Sequence, residues 1–254
     1  MLKRPRIIPT LLIKHGDLVK TKQFKDPTYL GDPINAIRIF NEKAVDELCI
    51  LDIAASHEKA DPDYELLEKM ASEAFMPLSY GGGIRDTEQI KRIFRLGFEK
   101  VVINTSAIQN MQLIVDASRH FGSQSIVASI DYRKTIRGKR CYIEDGKIKT
   151  AIAPEQLAKE VTDAGAGEIL LYSIDRDGKR CGYDIETISH ISSQTPVPLI
   201  ACGGARDLTD IGDALAAGAS AVAAGSLFVF FGERQAVLIN YPSEGEFIQN
   251  GIYK

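Results

Sequence analysis

The stretch GGIRD at residues 82–86 recurs as GGARD at residues 203–207, an offset of 121 positions. A second pair, ELCIL at residues 47–51 and EILLY at residues 168–172, keeps the same offset. An offset close to half of the 254 residues indicates a chain built from two similar halves. The repeat therefore predicts a fold made of two half-domains with related structures.

Apolar, β-rich runs alternate with runs of helical periodicity along the whole chain. Eight strands separated by helices predict a parallel sheet with right-handed crossovers. At this length they predict a single (β/α)8 barrel domain spanning residues 1–254, with a two-fold half-barrel repeat. An open doubly wound sheet is the alternative, but it would not predict the halving. The expected strands cover residues 6–12, 48–52, 77–79, 100–103, 125–131, 168–173, 198–201 and 219–224, and the expected helices cover 33–42, 63–73, 87–96, 111–121, 154–164, 183–192 and 208–217.

One segment departs from a plain barrel. Residues 134–150 follow the fifth strand and contain an Asp-Gly pair, Asp145-Gly146, between two short β-rich runs. This is the signature of a β-hairpin. Because it follows a strand, the hairpin should project near the functional face of the barrel.

Composition narrows the functional classes. The net charge of −3 gives no reason to expect a nucleic acid or an anionic membrane surface as a partner. No signal peptide or membrane span is evident, and four scattered cysteines without ligand spacing are typical of free thiols in a cytoplasmic protein. We expect no metal and no cofactor.

Glycine-rich turns end two pairs of strands. Gly82-Gly83 follows strand three and Asn104-Thr105 follows strand four, while Gly203-Gly204 and Gly225-Ser226 follow strands seven and eight. Glycine lets backbone N–H groups approach an anion closely, a following helix N-terminus favours negative charge, and hydroxyl groups add donors. Two such cradles on opposite sides of one mouth predict an elongated ligand with a phosphate at each end. Arg85 and Arg206 begin the next helices and either support the anions or pair with nearby carboxylates.

Motifs along nearly the whole chain resemble the cyclase subunit of imidazole glycerol phosphate synthase, the HisF family. They are LDIAAS at residues 51–56, GGGIRD at 81–86, INTSA at 103–107, FGSQ at 121–124, GAGEILL at 165–171, SIDRDG at 173–178 and GYD at 182–184. The order and spacing of these motifs make the match specific. Only the hairpin and the last 25 or so residues fit poorly.

The resemblance implies an ammonia-dependent synthase or lyase. In that family a glutaminase subunit, called HisH, docks at the N-terminal face of the barrel, and ammonia passes through the core to a bisphosphorylated ribosyl substrate. Ring closure yields imidazole glycerol phosphate and an aminoimidazole carboxamide ribotide. A ring of four charges gates the barrel bottom, and Arg6, Glu47, Lys100 and Glu168 match it. A salt-bridge cluster that only closes the barrel is the alternative role, since buried charges are costly unless they are paired.

The mouth departs from the family pattern. The resemblance implies two catalytic aspartates; Asp131 matches one, but Leu12 replaces the other, and Tyr172 replaces a small hydroxyl residue. Lys20 matches a mobile-loop lysine that closes on the substrate. Asp52 and Asp177 keep their places and could supply an extra carboxylate, and Gly178 keeps its place in the SIDRDG motif. An apolar Leu12 should also raise the pKa of a facing carboxylate, because desolvation disfavours its charge.

Loss of one of two acid–base groups costs orders of magnitude in rate, which disfavours the family cyclisation. The two glycine-rich cradles and the four gate residues are retained. This combination favours a paralogue that still binds a phosphorylated ligand and still receives ammonia. Such paralogues resemble glycosyl amidation-associated proteins, which supply ammonia for acetamidino sugars of surface polysaccharides. The alternatives are an active histidine-biosynthesis cyclase and a non-catalytic scaffold.

Overall fold

A closed barrel of eight parallel strands forms the centre of the protein. The computed structural model describes residues 4–232 and 236–253. Each barrel strand pairs with the next one along the chain, and the eighth pairs with the first, so the barrel has no open edge. The predicted (β/α)8 barrel is confirmed. Its strands are β1 (Arg6–Lys14), β2 (Leu48–Asp52), β3 (Leu78–Gly81), β4 (Lys100–Ile103), β5 (Ile126–Thr135), β6 (Glu168–Ser173), β7 (Leu199–Cys202) and β8 (Ala221–Ala224).

Amphipathic helices surround the barrel and bury their apolar faces against it. Aspartates at positions 32, 63, 86, 184 and 207 cap five of them, each accepting a backbone N–H of the first turn. Short helices, Ala55–Glu58, Thr105–Gln109 and Ser226–Val229, and the 3-10 turn Ser123–Ser125 lie in the loops. The main helices are α1 (Pro33–Glu42), α2 (Tyr64–Glu73), α3 (Thr87–Arg95), α4 (Gln112–Phe121), α5 (Pro154–Asp163), α6 (Ile185–Ser192) and α7 (Leu208–Ala216).

The barrel strands are buried on both sides, so successive side chains belong to two different cores. One set packs between the strands and the helices. The other set fills the barrel interior, with Ile8, Val127, Leu170 and Ile200 among its members. This alternation sends every second residue of a strand towards the barrel axis and carries Leu12 and Asp131 to the mouth.

Two barrel strands run beyond their predicted bounds, one into an antiparallel extension that was not predicted and the other into the hairpin segment predicted at residues 134–150. Strand β1 runs on to Lys14 and folds back through the antiparallel strands Asp17–Lys22 and Lys25–Gly31. Four buried residues of Asp17–Lys22 supply the packing that a loop would lack. Strand β5 continues to Thr135 and pairs with Gly138–Ile143, which in turn pairs with Ile148–Lys149.

The C-terminal residues pack beside the N-terminal end of β1. Strands Phe230–Phe231 and Ala236–Val237 pair, and a capping box at Ser243 begins the short helix α8 (Glu244–Gln249). The Tyr241 hydroxyl donates to the Ile7 carbonyl oxygen at 3.0 Å. These contacts place the tail on the outside of the barrel, away from its mouth.

Candidate functional site

The C-terminal ends of the strands surround a cavity of about 80 Å³. Its floor is apolar, because Leu12, Leu51 and Val102 point upward from the barrel core. Phe24, Ile53 and Tyr172 add further apolar surface to its wall. The polar part of the lining comes from the strand ends and the loops that follow them: Asp52, Ser56, Gly82, Asn104, Thr105, Ser129, Asp131 and Asp145. In (β/α)8 enzymes this end of the barrel carries the chemistry. We call this space the mouth cavity.

Asp131 is the predicted catalytic carboxylate, and it lines the mouth cavity with 9% of its surface exposed. Burial raises the pKa of Asp131 to about 7; the Ser129 hydroxyl, which donates to Oδ1 at 2.7 Å, lowers it, and the charge of Asp177 raises it further. Leu12 lines the same cavity, in agreement with the expected apolar wall. A carboxyl group with this pKa can give or accept a proton near neutral pH.

Asp145 is a second carboxylate of the mouth cavity that the sequence argument did not identify. It stands at the Asp-Gly turn of the hairpin with a φ of 58°. Burial raises the pKa of Asp145 to about 7; nearby lysines lower it, and the charges of Asp131 and Asp177 raise it. The signal was present in the sequence, since the Asp-Gly turn follows strand five, but only the fold shows that the turn bends back over the mouth.

The sequence offered Asp52 and Asp177 as sources of an extra carboxylate at the mouth. In the structure both accept hydrogen bonds from neighbouring residues. One oxygen of Asp52 accepts the backbone N–H groups of Ala54 and Ala55, at 2.9 and 3.1 Å. Asp177 is buried and accepts from Lys20 Nζ at 2.8 Å. Its other contacts include the hydroxyls of Thr21 and Tyr172, so it holds the β1 hairpin against the barrel.

Tyr172 divides the mouth into two compartments. Its ring is buried with 4% exposed, lies edge-on to Phe24 with 4.8 Å between centroids, and borders both the mouth cavity and a smaller pocket beside it. The hydroxyl donates to Asp177 Oδ1 at 2.9 Å, which fixes the ring. The small hydroxyl residue implied by the resemblance would leave the two compartments joined.

The first predicted cradle lies along the mouth cavity only in part. Gly82, Asn104 and Thr105 line the cavity, whereas Gly83 lies outside it and donates its N–H to the Ser56 hydroxyl at 3.3 Å. Thr105 Oγ1 accepts the backbone N–H of Glu144 at 3.1 Å, which ties the hairpin to this loop. Close packing also favours glycine at position 82, because a Cβ there would stand 2.6 Å from the Asp52 carbonyl oxygen.

The second predicted cradle forms the smaller pocket beside Tyr172. The structure brings together its four predicted residues, Gly203, Gly204, Gly225 and Ser226, and adds Gly178 of the SIDRDG motif, which was also predicted to bind the ligand. The Ser226 hydroxyl is buried and has no hydrogen-bond partner in the described part of the protein. The helix that follows has only four residues, so the expected helix N-terminus is short. Lys20 lies across Gly225, and a Cβ there would stand 3.1 Å from Lys20 Cε.

The four predicted gate residues meet in one ring at the opposite end of the barrel. Arg6 bonds to Glu47 at 2.6 Å and to Glu168 at 2.7 Å. Lys100 bonds to both glutamates at 3.0 Å. Charges alternate around the ring and cancel, which offsets the cost of burying them. The ring closes the N-terminal end of the barrel.

A small cavity of about 10 Å³ lies between the ring and the mouth. That is roughly the space for one water-sized molecule. Its lining is mostly apolar and includes Ile8, Cys49, Ser79 and Val127, with Glu47 of the ring at its lower end. The barrel axis therefore holds a charged ring, a small apolar chamber and a carboxylate-lined mouth in sequence.

Arg85 and Arg206 both contact surface carboxylates. Arg85 pairs with Asp61 and donates to the Lys59 carbonyl oxygen, and Arg206 pairs with Asp207 at 2.8 Å. Both arginines therefore pair with nearby carboxylates, which was the second of the two alternatives predicted for them.

Neither a metal-binding cluster nor a transmembrane helix occurs among the described residues. No group of histidine, cysteine or acidic residues there has the arrangement of a metal site. Burial raises the pKa of the Cys202 thiol well above its usual range, which favours an inert thiol. No helix in the described ranges is long and apolar enough to cross a membrane.

Comparison with known proteins adds independent findings. The family described as "Histidine biosynthesis protein" matches residues 6–234. A Leptospira interrogans protein, provisionally named imidazole glycerol phosphate synthase subunit HisF, is 51% identical over 246 residues, covering 96% of each chain. A Pseudomonas aeruginosa protein, provisionally named subunit hisF2 of that enzyme, is 52% identical over 241 residues, covering 94% of this chain and 96% of the relative. The Alkaliphilus metalliredigens protein named imidazole glycerol phosphate synthase subunit HisF is 42% identical over 225 residues, covering 88% of this chain and 89% of the relative.

Proposed function

The chain belongs to the histidine biosynthesis protein family, and on that premise we propose that it is a synthase subunit of the imidazole glycerol phosphate synthase type. It accepts ammonia from a HisH-like glutaminase, conducts it through the barrel, and binds a phosphorylated ligand at the mouth. We further propose that it has diverged to support amidation of a surface-polysaccharide sugar. Its place of action in this proposal is the cytoplasm.

The observation that carries the proposal is the axial order of ring, chamber and mouth. A ring of paired charges at the N-terminal end can open when a partner disturbs it, and the chamber above it has room for one ammonia-sized molecule. Asp131, with a pKa of about 7, lies where this path ends. Ammonia that arrives there meets a group able to exchange a proton with it.

The proposed divergence from the family cyclisation is supported by residues of the mouth, not by residues along the ammonia path. Leu12 removes one expected carboxylate, and the buried ring of Tyr172 fills space between the compartments. A long bisphosphorylated substrate could not cross the mouth without moving that ring. Both changes disfavour the family cyclisation while leaving ammonia passage unaffected.

The first test is turnover of the bisphosphorylated ribosyl intermediate of histidine biosynthesis with ammonium chloride. We expect the wild-type chain to be slower than the Leu12→Asp/Tyr172→Thr double variant by about a thousandfold, within the range for one acid–base group. Adding Asp131→Asn to the double variant should abolish the restored activity. Fast turnover by the wild type would overturn the divergence.

The second test addresses the glutaminase. A HisH-type glutaminase co-expressed with the chain should hydrolyse glutamine at least tenfold faster in the complex than alone. Glu99→Lys, an exposed substitution next to the charged ring, should weaken this stimulation. Glu88→Lys, an exposed substitution at the mouth end, makes the same charge change and should not. If the wild-type chain does not stimulate the glutaminase, the proposed partnership is contradicted.

The second candidate is the histidine-biosynthesis cyclase itself. The names of the relatives favour it, and so does the presence of two carboxyl groups with a pKa near 7 in the mouth cavity, Asp131 and Asp145. In this case the wild-type chain should complement a histidine auxotroph. Asp131→Asn should abolish the complementation.

A further inference from the structure

The charged ring is the entrance of the proposed ammonia path, so a partner that delivers ammonia must cover it. Ammonia that escapes into water becomes ammonium near neutral pH, and a charged ion is strongly disfavoured in the mostly apolar chamber above the ring. A specific interface buries about 800 Å² on each partner, and a disc of that area has a radius of roughly 16 Å. Centred on the ring, such an interface extends to the loops that precede the barrel strands.

Phe75 lies in one of these loops, and it is the most exposed aromatic side chain among the described residues, with 90% of its surface exposed. The loop joins the end of α2 to the start of β3. Ala74 and Met76, on either side of Phe75, pack against the core, so the ring between them points outward.

The loop also brings Phe75 close to the charged ring. The Pro77 carbonyl oxygen accepts the N–H of Leu48 at 2.9 Å, and Leu48 directly follows Glu47 of the charged ring. Phe75 precedes Pro77 by two residues, which span at most about 7 Å. These links keep the backbone of Phe75 within roughly 15 Å of that of Glu47. A partner that covers the charged ring with an interface of ordinary size therefore reaches Phe75.

The backbone at Phe75 is held in place by its neighbours. Its N–H donates to Asn41 Oδ1 at 2.9 Å, and the Asn41 amide also donates to the Glu73 carbonyl oxygen. Arg38 binds the Glu73 carboxylate through two bonds, at 2.8 and 2.7 Å. Aromatic residues are enriched at the centre of protein interfaces, and a group that is already fixed loses little freedom on binding. Phe75 is thus presented as a preformed anchor.

Two more aromatic rings lie at this end of the barrel. Phe94 is near the end of α3 and Phe121 ends α4, and their rings pack edge-on with 5.2 Å between centroids. Both side chains are only partly buried. Because α2, α3 and α4 follow one another around the barrel, their C-terminal ends lie side by side on the face that carries the charged ring. Clustered exposed apolar groups of this kind mark interaction surfaces.

We propose that Phe75 is the aromatic anchor of the glutaminase interface and inserts into an apolar pocket of the glutaminase beside the entrance of the ammonia path. This role of Phe75 rests on the proposed function, and it assigns the surface through which the partner binds. A second copy of the chain is the other occupant that could cover this face, and the experiment separates the two.

The experiment is a calorimetric titration of the full-length chain with the HisH-type glutaminase of the stimulation test. We expect Phe75→Ala to raise the Kd at least about thirtyfold, as for an aromatic anchor, and Phe75→Trp to stay within about threefold of wild type. Phe231→Ala is the matched control: it removes the same ring from another exposed site, close to the helix that follows β8, and should change the Kd less than about twofold. Unchanged binding by Phe75→Ala, or equal weakening by both alanine variants, overturns the proposal.

Glutaminase stimulation gives a readout that a folding defect would not reproduce. Phe75→Ala leaves the charged ring intact, so the stimulated rate at saturating chain should equal that of wild type. The chain concentration for half-maximal stimulation should rise by the same factor as the Kd. A lower saturating rate contradicts a role in docking alone.

Sedimentation of the chain without glutaminase should show a monomer. A dimer that Phe75→Ala dissociates would assign this face to a second copy and overturn the proposal. If the wild-type chain neither binds nor stimulates the glutaminase, the proposed function fails together with the role of Phe75. If it does both and Phe75→Ala has no effect, the proposed function stands and only the role of Phe75 is wrong.

Discussion

Replacing Asp131 with asparagine should stabilise the folded protein at alkaline pH. Burial raises the pKa of this carboxyl from its ordinary value of 3.8 to about 7. As pH rises through that window, the unfolded chain releases a proton that the folded chain retains. The free energy of unfolding of the wild type therefore falls with rising pH, and it stops falling above the folded-state pKa.

The magnitude follows from the size of the window. A difference of about 3 pKa units at about 1.36 kcal/mol each amounts to about 4 kcal/mol. Asparagine has nearly the same shape and keeps an oxygen that can accept from the Ser129 hydroxyl, which lies 2.7 Å from Asp131 Oδ1. It does not titrate, so it avoids the cost of a buried charge.

Urea unfolding of wild type and Asp131→Asn, followed by circular dichroism from pH 4 to pH 9, measures this difference. The advantage of the variant should be near zero at about pH 4, grow by about 1.4 kcal/mol per pH unit, and level off near pH 7 at about 4 kcal/mol. Asp163→Asn, which removes an exposed carboxylate paired with Lys159, is the control and should show no comparable rise. A difference that stays constant with pH, or that favours the wild type at pH 8, would show that burial does not raise the pKa of Asp131 in the folded chain.

Three further predictions concern the scaffold. Lys100→Met leaves the two glutamates of the charged ring with one cation, and it should lower the free energy of unfolding by about 3 kcal/mol in the same urea assay. Gly204→Ala should lower the free energy of unfolding by about 2 kcal/mol, because the φ of Gly204 is 112° and a Cβ there would collide with the Gly182 carbonyl oxygen. The matched control is Gly212→Ala, in open space on α7, which should raise the free energy of unfolding by about 0.5 kcal/mol. Of the four thiols, only exposed Cys181 should react rapidly with a thiol reagent in the native protein, and fast labelling of a second one would contradict the buried positions of the others.

Much of the fold could be predicted because its signals are local. The internal repeat and the alternation of strand and helix patterns sufficed for eight strands and a closed barrel, and helix α1 has the predicted bounds of residues 33–42. The antiparallel extension at Asp17–Lys22 was missed. Its residues form a strand because they pack on the barrel, and that contact joins parts of the chain that no short window contains.

The sequence predicted which residues belong to the candidate site, but it did not predict how they are arranged. The resemblance carried by local motifs predicted Asp131, Asp177 and the residues of the charged ring. They could not show that Asp177 is occupied by Lys20 and a tyrosine hydroxyl, or that Asp145 bends back over the mouth. The hydrogen-bond partners of a carboxylate come from distant segments, so its availability is a property of the folded chain.

Periodicity and repeated motifs along the chain were enough to predict the barrel and its two-fold repeat, and the resemblance implied a carboxylate where Leu12 stands. Only the folded chain shows that Tyr172 borders both compartments of the mouth and that Asp145 lines the larger one, because these contacts join distant segments. The tertiary structure also decided the pKa of Asp131, because that value depends on burial and on neighbours brought together only when the barrel closes.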